Sequence, residues 1–246
     1  MTSYRGSEHY DQEAFLDRYL QRRSWNENAN DTLEKPIIYE IMGDVRQKSI
    51  LDLGCGTAAY GNELLDMGAV QYTGLEGSVQ MVQHARHNLK DRLNSHVIHM
   101  VLEDWDAPES EYDKIVSRLV LHYIEDIDKL FKSVYQSLKS GGSFVFSVEH
   151  PVMTSSYGLT KPEGQKQDWT VDNYFITGER EQEWLGSTVK KFHRTVEDYF
   201  GALIRAGFLV EEVRESRPNE RLFSNRETYE RRCRIPLFLM MKGYKK

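Results

Sequence analysis

Apolar and polar positions divide the chain into stretches of two periodicities. Residues 8–23 carry Phe15, Leu16, Tyr19 and Leu20 at helical spacing, which predicts an amphipathic helix. A polar stretch, 24–31, separates it from a second expected helix over about 32–45. Pro36 falls in the first turn of that helix, where its missing N–H costs nothing. Beyond residue 48 the pattern changes. Short β-type runs at 49–53, 70–75, 96–102, 112–117 and 143–148 alternate with helical stretches at 59–67, 78–92 and 127–138. Residues 151–190, rich in Gly, Pro and aromatic side chains, break this rhythm and read as an insertion. It resumes with a helix at 195–206, a strand at 208–213 and an apolar run at 236–241 that should close the sheet. The expected fold class is therefore α/β: a doubly wound, seven-stranded, mostly parallel sheet with an insertion after the fifth strand.

Length and charge narrow the picture. The 246 residues suit one domain, with 28% charged and 11% aromatic residues, an ordinary globular mixture. We divide it into an N-terminal helical lid (1–45), a cofactor-binding core (46–150), a substrate-side insertion (151–192) and the C-terminal part of the sheet (193–246). The formal net charge of -6 counts against a nucleic-acid partner. Arg226, Arg231, Arg232 and Arg234 are a local exception, but Glu227 and Glu230 interleave with them, so a solvated helix face is expected. The two cysteines, Cys55 and Cys233, form no disulfide framework and no metal-ligand spacing. A reducing cytoplasm and no metal are expected. Residues 1–10 hold no apolar signal core, and no run is long enough to span a bilayer.

The candidate chemistry lies at strand ends, where open parallel sheets bind ligands. Leu51-Asp52-Leu53-Gly54-Cys55-Gly56-Thr57 is a strand running into a loop with two glycines. Glycine lets backbone approach a ligand closely, and the helix that follows offers free N–H groups. Glu76 ends the next strand, where a carboxylate can accept both hydroxyls of a ribose. The pair points to an adenosine-containing cofactor. Gly54-x-Gly56-x-x-Ala59 alone would also suit a nicotinamide-dinucleotide fingerprint.

The 51–57 segment resembles the first motif of class I S-adenosylmethionine-dependent methyltransferases. Glu76-Gly77-Ser78-Val79-Gln80-Met81 is similar to their second motif, and Glu103-Asp104-Trp105 to their third. The segment from Ser117 and Arg118 to His122 and Tyr123 resembles their fourth strand end, and Leu138-Lys139-Ser140-Gly141-Gly142 their turn before the fifth strand. Many members have Asp where this chain has Glu76. Outside residues 48–149 the chain resembles a bacterial small-molecule branch, "type 11". The resemblance implies a Rossmann-like methyltransferase fold. It implies S-adenosyl-L-methionine as cofactor and S-adenosyl-L-homocysteine as product. Asp52 and the Gly54-Cys55-Gly56 loop would hold the methionine end. Glu76, with Gly77, Ser78 and Met81, would hold the ribose, Glu103, Asp104 and Trp105 the adenine, and Arg118 would sit beside them. The lesser alternative for Asp52 is a helix-cap or loop-bracing acid, and Cys55 reads as merely a small residue in the loop.

Methyl transfer from a sulfonium needs alignment and dryness, and a base only when the nucleophile arrives protonated. His150, directly after the fifth strand, is the first candidate base, with Glu149 to orient it or act in its place. The same tripeptide, Glu149-His150-Pro151, would also serve to fix the turn into the insertion. His122 and Tyr123 are expected to line the cleft, His193 to begin a helix, and His99 is a weaker candidate. Trp169, Trp184, Tyr157, Tyr174 and Phe175 in the insertion, with Trp25 before it, suit either a lid or a satellite core. Arg23 reaches the cofactor carboxylate if the N-terminal helix folds over the site, whereas Arg22 and Arg23 equally suit a solvent-facing helix end. The expected partner is a small-molecule methyl acceptor taking the methyl on nitrogen or oxygen, with no nucleic acid and no membrane, and the protein a monomer or homodimer. The alternatives are a methyltransferase acting on RNA or protein, an NAD-dependent oxidoreductase on a related fold, or a non-enzymatic cofactor-binding protein.

Overall fold

The computed structural model describes residues 6–25, 27–155 and 169–246. Tyr157 of the expected aromatic group lies outside the described residues. Seven strands form one sheet: β1 Ser49–Leu53, β2 Gln71–Glu76, β3 Ser95–His99, β4 Tyr112–Arg118, β5 Leu138–Glu149, β8 Leu209–Glu215 and β9 Phe238–Tyr244. Their order across the sheet is β3-β2-β1-β4-β5-β9-β8. The first five pair in parallel, and β9 runs antiparallel to both β5 and β8. The strand order reverses between β1 and β4, so the crevice beyond their carboxyl ends is the expected ligand site of such a sheet.

Helices cover both faces. On one side α5 (Ile127–Ser137) and α7 (Val196–Ala206) pack Phe131, Val134, Tyr199 and Leu203 onto Phe144 and Phe146 of β5. On the other, α2 (Lys35–Met42) and α3 (Ala59–Asp66) pack Ile38, Ile41, Met42 and Leu64 against Ile50, Tyr72 and Val145. Fully burying one such side chain stabilises by about 1.5–3 kcal/mol. Burial on both faces explains why the strands read as apolar runs rather than strict alternations. The helix α7 also has legible ends. Thr195 and Asp198 form a reciprocal capping box, and Gly207, at φ 104°, stops the helix in the left-handed region. The helix α4 (Val79–Asn88) covers β2 and is capped by Ser78.

The structure redraws several expected boundaries. The N-terminal helix is a 3-10 turn, Gly6–Asp11, followed by α1 (Glu13–Arg23), and the second helix opens with a π-type turn, Asn30–Glu34. β3 stops at His99 and is followed by a 3-10 turn, Leu102–Asp104. The Ser140-Gly141-Gly142 segment lies within β5, which begins already at Leu138. The insertion contains the short α6 (Pro151–Thr154) and an unforeseen hairpin, β6 (Gly178–Trp184) with β7 (Ser187–His193). A last excursion, α8 (Arg226–Cys233), precedes β9.

Candidate active site

The glycine loop bends toward β2. The N–H groups of Gly54 and Cys55 both donate to the Leu75 carbonyl, at 2.8 and 2.9 Å, and Gly54 adopts φ 74°. A Cβ on Gly54 would lie 2.9 Å from Val120 Cγ1 and closer still to Cγ2, so this position requires glycine for space as well as for backbone. At Gly56, φ 56°, nothing lies within 4 Å of where a Cβ would stand, so this stretch of backbone is open to a ligand. The Gly56 N–H donates to Glu76 Oε2 (2.8 Å), and the Ser78 N–H to Glu76 Oε1 (2.9 Å). Burial raises the Glu76 pKa, and these backbone donors pull it back.

Loop and acid open onto a cavity of about 800 Å³, inside the roughly 300–1,000 Å³ range of small-molecule sites. Gly54, Gly56, Glu76, Gly77, Met81, Glu103, Arg118, His122, Tyr123 and Glu149 all line it. Ten of the expected site residues thus meet on one surface.

Seven others do not line it. Asp52 sits behind the loop, 2% exposed, with Oδ2 accepting the Tyr72 hydroxyl (2.9 Å) and Oδ1 lacking a partner. Burial lifts its pKa to about 6, against the Tyr72 hydrogen bond and the Arg118 charge, which lower it. Cys55 packs its sulfur against Gly74, and burial raises its thiol pKa. Ser78 caps α4 and donates to Asp11 Oδ1 (2.7 Å), which fastens the N-terminal 3-10 turn to the cofactor-side helix. In the third motif Glu103 reaches the cavity, Asp104 is exposed, and Trp105 packs on the core. Arg23 turns away to Asp31 (3.1 Å) and Asn28 (2.7 Å), and Arg22 takes the cavity position.

His150 is the seventh, and it corrects the first choice of base. Its Nδ1 accepts the Val152 N–H (3.2 Å) at the start of α6, which leaves the proton on Nε2, facing Glu215 Oε1 at 3.0 Å. The residue is 4% exposed and fixes the turn into the insertion. His193 is held between Thr154 Oγ1 (2.7 Å) and the Tyr174 carbonyl (2.9 Å), and His99 Nε2 lies 3.0 Å from the Gly77 carbonyl.

Three of the reaction-side candidates remain on the wall. His122 Nδ1 accepts the Glu149 N–H (3.4 Å), and burial pushes its imidazole pKa down to about 3 although the Glu149 carboxylate raises it. It is therefore neutral at physiological pH and presents an N–H rather than a lone pair from Nε2. Tyr123 packs against His122 with ring centroids 4.4 Å apart and ring planes tilted by 45°. Glu149 Oε1 binds Lys191 Nζ at 2.7 Å, and that lysine, 2% exposed, also reaches Gln182 Oε1 (2.9 Å). Lys191 comes from the unforeseen hairpin, and sequence reading missed it. The signal was present: Leu185-Gly186 at a turn between two alternating runs, with Val189, Lys191 and His193 on one inward face. Trp184 from the same hairpin joins Phe15 (5.4 Å), Tyr19 (6.1 Å) and Tyr10 (6.5 Å), so the N-terminal segment and insertion share one aromatic cluster over the cavity. Arg118 is on the wall but its guanidinium is already engaged by buried Glu34, Nε to Oε1 at 3.0 Å, and lies over the Tyr60 ring.

The glycine loop, Glu76 and the turn after β3 thus stand at the ends of consecutive strands of a Rossmann-like sheet and open onto one cavity beneath the aromatic cluster. Residues 50–142 match a family model described as a methyltransferase domain. A solved S-adenosylmethionine-dependent methyltransferase from Mesorhizobium loti is 32% identical and superposes with TM-score 0.78, over 85% of this chain and 96% of that one. A second solved chain assigned to the same class, from Listeria monocytogenes, is 34% identical at TM-score 0.78, covering 87% and 96%. The malonyl-[acyl-carrier protein] O-methyltransferase 1 of Ilyobacter polytropus is 32% identical over 108 residues, 44% of this chain and 40% of that protein. The chain belongs to the class I S-adenosylmethionine-dependent methyltransferases, which sets aside the nicotinamide reading of the glycine loop. Among the described residues no helix is long and apolar enough to cross a membrane.

Proposed function

We propose that this methyltransferase acts on a nitrogen or oxygen of a small organic molecule bound between the strand ends and the segments above them. The supporting observation is one cavity of about 800 Å³ whose wall carries both the cofactor cradle, Gly54, Gly56 and Glu76, and a polar acceptor edge, His122, Tyr123 and Glu149. S-adenosylmethionine fits the residues present. The Gly56 backbone is open, Glu76 stands at the strand end, and Asp52 Oδ1, buried behind the loop, lacks a hydrogen-bond partner. Gly54, Gly56 and Asp52 would hold the methionine end, Glu76 the ribose, and the 100–103 turn the adenine. When bound, the cofactor supplies an electrophilic methyl on a sulfonium.

The chain's own residues then have separable tasks. Glu149, held by Lys191, is the wall group able to accept a proton from an incoming nucleophile, since His122 presents only a donor. His122 and Tyr123 orient the acceptor. Residues 6–23 and the β6–β7 hairpin act as a lid that excludes water, held down by Asp11 on Ser78 and by Trp184 in the aromatic cluster. Incubation with methyl-labelled cofactor and size-fractionated cell extract tests the reading. Label is expected in the low-molecular-weight fraction. Label confined to RNA or protein would refute the small-molecule assignment.

A further inference from the structure

The cavity carries positive charge that methyl transfer itself does not use. Arg231 and Arg232 of α8 line it, and Arg22 at the end of α1 lines it too. Three neighbouring arginines are matched: Arg226 with Glu230 (2.8 Å), Arg23 with Asp31 (3.1 Å), and Arg234 over the Trp169 ring (5.1 Å). Arg22, Arg231 and Arg232 have no carboxylate partner among the described residues, and Arg232 Nε is buried without a hydrogen-bond partner. Burial, then repulsion from Arg231 and Arg22, holds the Arg232 pKa down to about 10, so the three charges feel one another. Like charges crowded at a partly enclosed wall are costly unless a ligand brings the opposite sign.

Their place in the fold separates them from the cofactor cradle. Phe238 pairs with Glu149 across the β5–β9 ladder, and Leu237 and Phe238 also line the cavity. The α8 arginines therefore lead directly into the acceptor edge. The glycine loop belongs to β1, three strands from β9, roughly 14 Å at ~4.8 Å per strand.

We propose that the methyl acceptor carries an anionic group, a carboxylate or a phosphate, bound by Arg231 and Arg232 with Arg22 closing from the N-terminal side. The inference rests on the methyl-transfer reading and names the chemistry of its substrate. Guanidinium forks match the two oxygens of either anion and hold it in a fixed orientation. A tethered anion would aim the nucleophile from a distance and leave Glu149 to handle its proton.

Titration calorimetry on protein saturated with S-adenosylhomocysteine provides the test, with malonate and inorganic phosphate as separate probes. At least one probe is expected to bind wild type, and the better one identifies the class of anion. R231Q/R232Q should weaken that probe by about tenfold or more while S-adenosylhomocysteine affinity changes less than about twofold. R22Q, on a separate element, should weaken it by a smaller factor and provides a second reading if the double variant folds poorly. Absence of binding by both probes to wild type overturns the proposal. An equal loss of S-adenosylhomocysteine affinity in R231Q/R232Q also overturns it, because the arginines then serve the cofactor's own carboxylate. Failure of wild type to bind S-adenosylhomocysteine appears before any anion is added, and so marks failure of the underlying reading.

Discussion

Replacing Asp52 with asparagine should stabilise the protein in the absence of cofactor. The carboxylate is 2% exposed, accepts one hydrogen bond from Tyr72 and leaves Oδ1 without a partner. Burial is the largest cause that lifts its pKa, from 3.8 to about 6. At ~1.36 kcal/mol per pH unit, carrying the charge in the folded state at neutral pH costs roughly 3 kcal/mol. The sign follows from linkage. The folded state holds this proton more tightly than the unfolded chain, so the site favours folding below about pH 4. That advantage is lost as pH rises through the interval to about 6 and changes little above it. Asparagine does not titrate, but it places an amide N–H where Oδ1 now stands unpartnered, which returns about 1–2 kcal/mol of the gain. D52N should therefore be less stable than wild type by about 1 kcal/mol near pH 4 and more stable by about 1–2 kcal/mol at pH 7.5. Urea unfolding across that range measures the difference. Saturation with S-adenosylhomocysteine should shrink or reverse it if Asp52 serves the methionine end as proposed, since a ligand ammonium favours the ionised carboxylate. A D52N protein less stable than wild type at pH 7.5 without cofactor, or a gain that does not vary with pH, would refute the reasoning.

Three further outcomes are expected. E76Q should weaken S-adenosylhomocysteine binding by about tenfold or more in calorimetry, since an amide cannot accept two ribose hydroxyls and the Gly56 and Ser78 donors together. G54A should lower unfolding free energy by about 2–4 kcal/mol, from left-handed backbone strain plus the collision with Val120; a loss near zero would mean the loop moves freely. H150A should keep turnover within about twofold of wild type yet lose about 1–2 kcal/mol of stability with its cap on Val152, and a collapse of turnover at intact stability would return His150 to the chemistry.

The sheet was legible in the sequence because its signals are local. Apolar runs and the glycines after β1 act within a few residues, and the structure places the strand, the loop and the 195–206 helix near where they were expected. The meeting of Gly54, Gly56 and Glu76 on one cavity wall was legible for the same reason, since strand ends set their positions. What stayed hidden depends on partners distant along the chain. The sequence could not tell that Asp52 answers to Tyr72 behind the loop, or that His150 is spent on Glu215, 65 residues away. Arg231 and Arg232 read as solvated because α8 is charged on every side, and only the tertiary path of the 216–237 excursion turns them inward. Lys191 was hidden by residue type, since a buried lysine is uncommon without a partner, and its partner Glu149 lies in another element.

The position of β9 imposes an order of assembly. Although it follows β8 in the chain, it lies inside the sheet, between β5 and β8. On a ribosome, then, residues 209–215 emerge before the strand they must pair with and cannot dock until 238–244 have followed. A chain cut just before Phe238 would lose its grip on two strands at once, and the acceptor wall with them. The wall carrying Glu149 is thus completed only after the glycine loop and Glu76 have already emerged.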